Sequence, residues 1–200
     1  MPETKLATYT QVQPFFDLTG TTHQTVIETI LDGVTAALER HCNRVFMRNA
    51  ARTDYLTGDG GNVLSLPLLP IESITSVKIA SDRDFASVDA LTAEDDYRHD
   101  PDSGLLWYQP GNWPKYRRGI QVVYVGGYVH PDDSPTGVQV ALPYDLTAAA
   151  IQQAVYEYNN RSRHGIKGEK VGDASVALLE TGELLPSVRD RVARFVRYVI

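Results

Sequence analysis

The spacing of apolar positions changes twice along the chain. Ile27, Ile30, Leu31, Val34, Leu38, Cys42 and Val45 trace one stripe at helical spacing, which predicts an amphipathic helix ending near Arg44. Thr22 or Thr25 can cap its start, and Thr25 with Glu28 has the spacing of a capping box. A shorter helix is predicted before it, from Tyr9 to Leu18, stopped at Gly20.

From Arg52 to Val129 the pattern turns to short extended runs broken by turn residues: TDYL, NVLSLPLL, ITSVKIA, GLLWYQ and IQVVYV. Gly58-Asp59-Gly60-Gly61 is expected to join two of these as a hairpin. Pro67 and Pro70 imply that LSLPLLP runs along an edge or leaves the sheet, because proline cannot donate to a ladder. Asp100 to Gly104 reads as a tight turn feeding Leu105 to Tyr108, and the polar segment Ser81 to Asp96 reads as a loop. The β-branched and aromatic run Ile120 to Val125 stops at Gly126-Gly127, where the backbone is free to turn.

Helical spacing then returns. Pro143 suits a first helical position, and Tyr144, Ala148, Ile151, Val155 and Tyr158, with Leu146, Ala150 and Ala154 beside them, predict a helix with a broad buried face. Ser162 to Gly172 is basic and glycine-containing and reads as a mobile loop, and Val176 to Leu179 is a short apolar run. A last helix begins at Pro186, with Val188, Val192, Phe195, Val196 and Val199 on one side and four arginines over the rest. The order of helices, β insert and helices makes the class α+β.

Two hundred residues, 42% of them hydrophobic, suffice for one core or one core with an insert. A formal net charge of −6 argues against a freely diffusing nucleic-acid binder. The one cysteine, Cys42, lies on the apolar side of its helix and reads as a buried structural thiol. The opening MPETKLATYTQ lacks a signal-peptide profile and the Val122–Val129 run is too short to span a bilayer, so a soluble, intracellularly folded chain with no membrane partner is expected.

Catalytic chemistry finds little support. There is no G-x-S-x-G elbow, and the glycine clusters Gly58–Gly61 and Lys167–Gly172 match neither a P-loop nor a dinucleotide fingerprint. His99, Asp100 and Asp102 form one group of metal-type side chains, and His130, Asp132 and Asp133 another, but neither has a recognised ligand spacing and turn capping accounts for the aspartates. No catalytic, metal or cofactor residue and no cofactor is therefore expected, with a small metal-dependent hydrolase using His99 or His130 kept as an alternative. Arg161, Arg163, His164, Lys167 and Lys170 form a basic stretch, and the last helix adds Arg189, Arg191, Arg194 and Arg197. These read as a solvated loop and helix face, as a protein-docking surface, or as a nucleic-acid contact.

Five passages, in order, resemble the head–tail connector (head completion adaptor) family of tailed bacteriophages: ILDGVTAALERHCNRVF, LSLPLLPIESITSVKI, GIQVVYVGGY, LPYDLTAAAIQQAVYEYNNR and LPSVRDRVARFVRY. The resemblance implies a mainly α member of the α+β class, a helical bundle with a small antiparallel β subdomain inserted between its helices. It would form a single connector domain over 1–200: N-terminal helices in 1–50, a β-rich insert in 51–130, and C-terminal helices in 141–200 with a mobile loop at 162–183. It implies a non-enzymatic neck protein, assembled in the host cytoplasm and carried in the virion. Its partners would be the portal protein, the next neck or tail protein, double-stranded DNA passing without sequence-specific binding, and itself in a closed ring on the order of a dozen copies. The segments Ser81–Asp96, His130–Ala141 and Ser162–Glu183 are longer than in the family's shorter members. Arg189, Arg191, Arg194, Phe195 and Arg197 are the expected portal- or partner-docking set, being the residue types that dominate interface energetics. Phe195 has packing in the subunit's own core as its plain alternative. Arg163, Lys167 and Lys170 are expected to contact a neighbouring subunit or the DNA channel. A head-closure or tail-terminator protein, dominated by β-barrel structure, is the alternative within the same structural class.

Overall fold

In the computed structural model, which describes residues 5–16, 20–161 and 183–197 and the backbone of 168–171 and 174–177, the first helix is set by its cap. Thr8 Oγ1 accepts from the Gln11 N–H at 3.4 Å while Gln11 Oε1 accepts from the Thr8 N–H at 3.0 Å, a reciprocal capping box that starts α1 (Tyr9–Val12). The helix then tightens into a 3₁₀ turn, Gln13–Phe16. The capping box expected at Thr25 and Glu28 does not form. Helix α2 (Gln24–Cys42) begins at His23 without a side-chain cap, and Glu28 instead accepts from the Gln24 side chain at 2.7 Å. Its stripe is buried as predicted at Ile27, Leu31, Val34, Leu38 and Cys42, and Ile30 is half-buried. Asn43, in the left-handed region at φ 52°, ends it, and the Arg44 N–H bonds back to the Glu39 carbonyl.

Helix α3 (Tyr144–Asn160) packs against α2 and against α4 (Pro186–Val192). Its buried face is rotated from the expected one. Leu146, Ala149, Ala150, Gln153, Ala154 and Tyr158 are buried, whereas Ala148, Ile151 and Val155 are half-buried and Tyr144 is 78% exposed. The small side chains of Ala149, Ala150 and Ala154 let a neighbouring helix approach closely, with Leu146 and Tyr158 buried on the same face. After α4 the chain tightens into a 3₁₀ turn, Ala193–Phe195, and the Arg197 N–H donates to the Cys42 carbonyl at the end of α2 (2.9 Å).

Six of the strands form two three-stranded antiparallel sheets. In one, β6 (Ile120–Gly126) lies between β1 (Asn49–Leu56) and β3 (Ile71–Ile79); in the other, β5 (Leu105–Tyr108) lies between β2 (Val63–Ser65) and β4 (Tyr97–His99). Gly58–Gly61 therefore does not fold β1 onto β2 as a hairpin; it carries the chain from one sheet to the other. Its glycines serve close approach instead. A Cβ on Gly58 would sit 2.0 Å from the Pro114 carbonyl oxygen, and the Trp113 N–H donates to the Gly61 carbonyl at 2.8 Å. Strand β4, too short for a periodic signal, makes a hairpin with β5 across the predicted Asp100–Gly104 turn. LSLPLLP leaves the sheet after Ser65, as its prolines require, and carries Leu66, Leu68 and Leu69 into a core with Leu106, Trp113, Ile120, Val122 and Tyr124. Trp113 is fully buried, its indole N–H donating to the Leu106 carbonyl at 3.3 Å.

Short strands β7 (Tyr128–Val129) and β8 (Val140–Ala141) follow, and within the stretch read as a loop β9 (Gly168–Val171) pairs antiparallel with β10 (Ala174–Ala177). The composition is 33% helix and 25% strand, an α+β chain. Two compact units result, one from Met1–Arg44, His130–Ser134 and Ala141–Ile200, the other from Val45–Val129 and Pro135–Val140.

Candidate docking surfaces

The arginine set is divided by the fold. Arg189, Arg191 and Arg194 face solvent along α4 and the turn after it, whereas Phe195 is only 9% exposed and points into the helical unit with Val188 and Val192. Arg194 spans both settings: its guanidinium lies 4.7 Å from the Phe195 ring centroid and 2.7 Å from Asp145 in the first turn of α3. Arg189 stands 3.8 Å from Glu183, and Arg197 is half-buried. Of the second predicted set, Arg163 and Lys167 lie outside the described residues. Lys170 is placed by its backbone in β9, opposite Ser175.

What fixes α4 is a residue the sequence did not single out. Gln153, buried in the middle of α3, donates from Nε2 to the Glu183 carbonyl at 2.9 Å and to Glu157 at 3.0 Å, and accepts the Leu185 N–H on Oε1 at 3.0 Å. It thus satisfies backbone groups of the segment leading into α4, so a polar amide is stable in an apolar face. A glutamine that shares its helical face with Ala149, Ala150 and Ala154 was the available signal.

The metal-type groups are committed locally. The Ser103 hydroxyl donates to Asp100, and the Asp102 and Ser103 N–H groups add longer bonds of 3.3 Å, which together hold the Asp100 carboxyl below its usual range. His130, buried, accepts the Asp132 N–H on Nδ1 at 3.3 Å. No cluster of three or more His, Cys, Asp or Glu suited to a metal ion occurs among the described residues. Arg52, Asp54 and Tyr124 form a compact polar triad, but Tyr124 is fully buried and its hydroxyl is taken at both ends, donating to Asp54 and accepting from the Leu68 N–H. Burial first, and the Asp54 hydrogen bond second, push its phenol far above the ordinary range. A cleft of about 460 Å³ beside α1 is lined by Lys5, Thr8, Tyr9, Gln24, Glu28 and Asp132, an unspecialised polar lining with no nucleophile–base pair.

A further exposed surface lies in the β unit. Lys115, Tyr116, Arg117 and Arg118 occupy the turn before β6, all solvent-facing, with Tyr55 of β1 43% exposed beside them. The Arg118 guanidinium lies 5.7 Å from the Tyr55 ring centroid, and its backbone N–H donates to Thr57 Oγ1 at 3.0 Å.

No family model and no curated protein matches the chain. Solved structures do. A chain in the neck of an empty gene transfer agent (GTA) particle, computed with C6 symmetry, is 16% identical with a TM-score of 0.59, the match covering 96% of this chain and 89% of that one. The fold is shared along nearly the whole length. A chain of the virion of a native GTA particle is 18% identical with a TM-score of 0.58, covering 93% and 83%. A chain in the neck of a native particle, computed with C12 symmetry, is 18% identical with a TM-score of 0.58, covering 94% and 89%. At such identities the likeness is one of fold. Among the described residues no helix is long and apolar enough to cross a membrane.

Proposed function

We propose that this chain is a structural component of the neck of a phage-type particle, a ring-forming head–tail adaptor. One observation carries the reading: a fold shared over 96% of this chain with a GTA neck chain, alongside the five sequence passages that resemble the connector family. On this reading 1–200 acts as one connector domain, α1 to α4 supply its bundle, and the two sheets form the inserted β subdomain. The protein catalyses nothing and needs no cofactor. Its work is done by surfaces: one toward the portal, one toward the next neck or tail protein, and two unlike faces that join copies into a closed ring around passing double-stranded DNA, since cyclic closure requires a heterologous contact. The symmetries of the two neck structures fit such an assembly. Arg189, Arg191 and Arg194 are the portal- or partner-facing part of the α4 surface, with Arg197 at its end and Phe195 serving as the buried footing beneath Arg194. Arg163, Lys167 and Lys170 remain the proposed neighbour or DNA-channel contacts.

The test is to mix the purified protein with the portal of its own particle and image the product by electron microscopy. Rings or portal-bound collars are expected, and an R189E/R191E variant with unchanged circular dichroism should lose them. Wild-type monomers that ignore the portal would overturn the reading.

A further inference from the structure

The chain carries more acidic than basic side chains, 25 against 19, and several of its cations stand beside a carboxylate. Arg48 lies 2.6 Å from Glu72, Arg52 2.8 Å from Asp54 and Arg98 3.3 Å from Glu94. Lys115, Arg117 and Arg118 differ: three cations in four successive positions, all exposed, with no carboxylate partner among the described residues. Such a concentration of unpaired charge in an acidic chain calls for an anion from outside.

The turn that presents them is rigidly built. Trp113 anchors its start in the core, the Tyr116 N–H donates to the Pro114 carbonyl at 2.8 Å, and the Gly58 N–H donates to the Tyr116 carbonyl at 3.2 Å. Arg118 is held in the left-handed region at φ 54° by its bond to Thr57. The backbone is therefore set before any ligand arrives, which lowers the ordering cost of binding. The planar guanidinium groups of Arg117 and Arg118 match phosphate oxygens in a two-pronged geometry. Tyr55 and Tyr116, both partly exposed, add flat faces and hydroxyls beside them.

We propose that Lys115, Arg117 and Arg118, flanked by Tyr55 and Tyr116, contact the phosphodiester backbone of duplex DNA. Each of the three long side chains carries one cation, so the turn can neutralise at most about three phosphates. Contacts to phosphates carry no sequence information, so the contact is blind to sequence. The inference deepens the neck reading by naming residues that meet the nucleic acid, and it can fail while that reading stands.

The experiment is anisotropy of a labelled duplex of about 30 base pairs titrated with the full-length protein over a range of salt. Three phosphate contacts predict a slope of log affinity against log salt of about −2.7, which is a loss of about forty-fold between about 50 and 200 mM. A K115Q/R117Q/R118Q variant should lose that slope and bind at least about ten-fold more weakly at low salt, while K115R/R117K/R118K retains both. Because these side chains are exposed, an unchanged circular dichroism spectrum is expected for both. Absent or salt-independent wild-type binding overturns the proposal. So does an unaffected triple glutamine variant, or one that keeps DNA binding but loses self-association or portal binding, which would make the turn a protein contact. If the glutamine variant loses DNA while still forming portal collars, both readings hold. If DNA is unaffected and collars form, only this one falls.

Discussion

Replacing Tyr124 by phenylalanine tests the internal logic of the β unit. The hydroxyl donates to Asp54 Oδ2 at 2.7 Å and accepts the Leu68 N–H at 3.1 Å, so one oxygen ties β6 to β1 and to the segment that leaves the sheet after β2. Phenylalanine keeps the ring in its fully buried site and deletes only that oxygen. Asp54 keeps the Arg52 Nε–H, at 2.8 Å, but the Leu68 N–H is left buried without its acceptor. A hydrogen bond to a charged group contributes about 1.5–3 kcal/mol and a stranded buried donor costs about 1–3 kcal/mol; the two overlap, because the substitution also spares the hydroxyl its own desolvation. The expected loss is about 2–3 kcal/mol. Both tryptophans, Trp107 and Trp113, lie in this unit, so their fluorescence during urea unfolding reports it directly. With a urea slope of about 1.5–2 kcal/mol per molar, the midpoint should fall by about 1–2 M at unchanged slope. A loss below about 0.5 kcal/mol would refute the reasoning, since it would mean that neither bond outweighs hydration. A Y124F/D54N cycle should show coupling of about 1 kcal/mol or more, as expected for groups in one network.

Other outcomes follow from the same geometry. Gly127 has φ +94°, and a Cβ there would meet the Met47 carbonyl oxygen at 2.7 Å and Arg48 Cα at 2.8 Å, both backbone atoms, so G127A should cost at least about 2 kcal/mol in the same urea assay. G33A, in the middle of α2 with nothing within 4 Å of the added methyl, should instead stabilise by about 0.5–1 kcal/mol, seen as a higher thermal midpoint by circular dichroism. Burial raises the Cys42 thiol from 9.0 to about 11, with Arg44 opposing weakly. The folded state therefore binds the proton more tightly than the unfolded chain. This contribution is complete below pH 9, falls through the window to about 11 and amounts to at most about 2–3 kcal/mol. Comparing urea midpoints at the two ends of that window should show a drop in the wild type that C42A lacks, and an equal drop in C42A would assign the alkaline loss to other groups.

What the sequence made legible is what local spacing controls. The α2 stripe, the proline that opens α4, the exit of LSLPLLP from its sheet and the Asp100–Gly104 turn each depend on residues within a few positions of one another. The rest depended on partners distant in the chain. Gly58–Gly61 looks like a hairpin turn until Pro114 and Trp113 arrive beside it. The face of α3 was legible at Leu146, Ala150, Ala154 and Tyr158, whereas the exposure of Tyr144 and the burial of Ala149 and Gln153 depend on how α2 and α4 pack against it. The role of Gln153 is not legible locally, because its backbone partners lie about thirty positions away. The basic turn at Lys115 was overshadowed by the longer basic stretch after Arg161, although three cations in four residues was a denser signal.

The two basic surfaces differ in how ready they are to bind. On the α4 side Arg189 and Arg194 already face Glu183 and Asp145, and Asp145 is further favoured where it stands, in the first turn of α3 at the positive end of the helix dipole. An incoming protein must offer acceptors that replace those carboxylates. The exchange costs little, because exposed pairs contribute about 0–1 kcal/mol, but it selects for a partner with shaped acceptors over one with charge alone. The turn at Lys115 to Arg118 has no such pairs to break among the described residues, so diffuse charge suffices. Salt should therefore weaken the two contacts unequally. A DNA contact at the turn carries the full counterion-release slope, while an arginine exchange at α4 swaps one ion pair for another and changes the number of bound ions far less. A portal complex that survives salt which abolishes DNA binding is the pattern this division of charge requires.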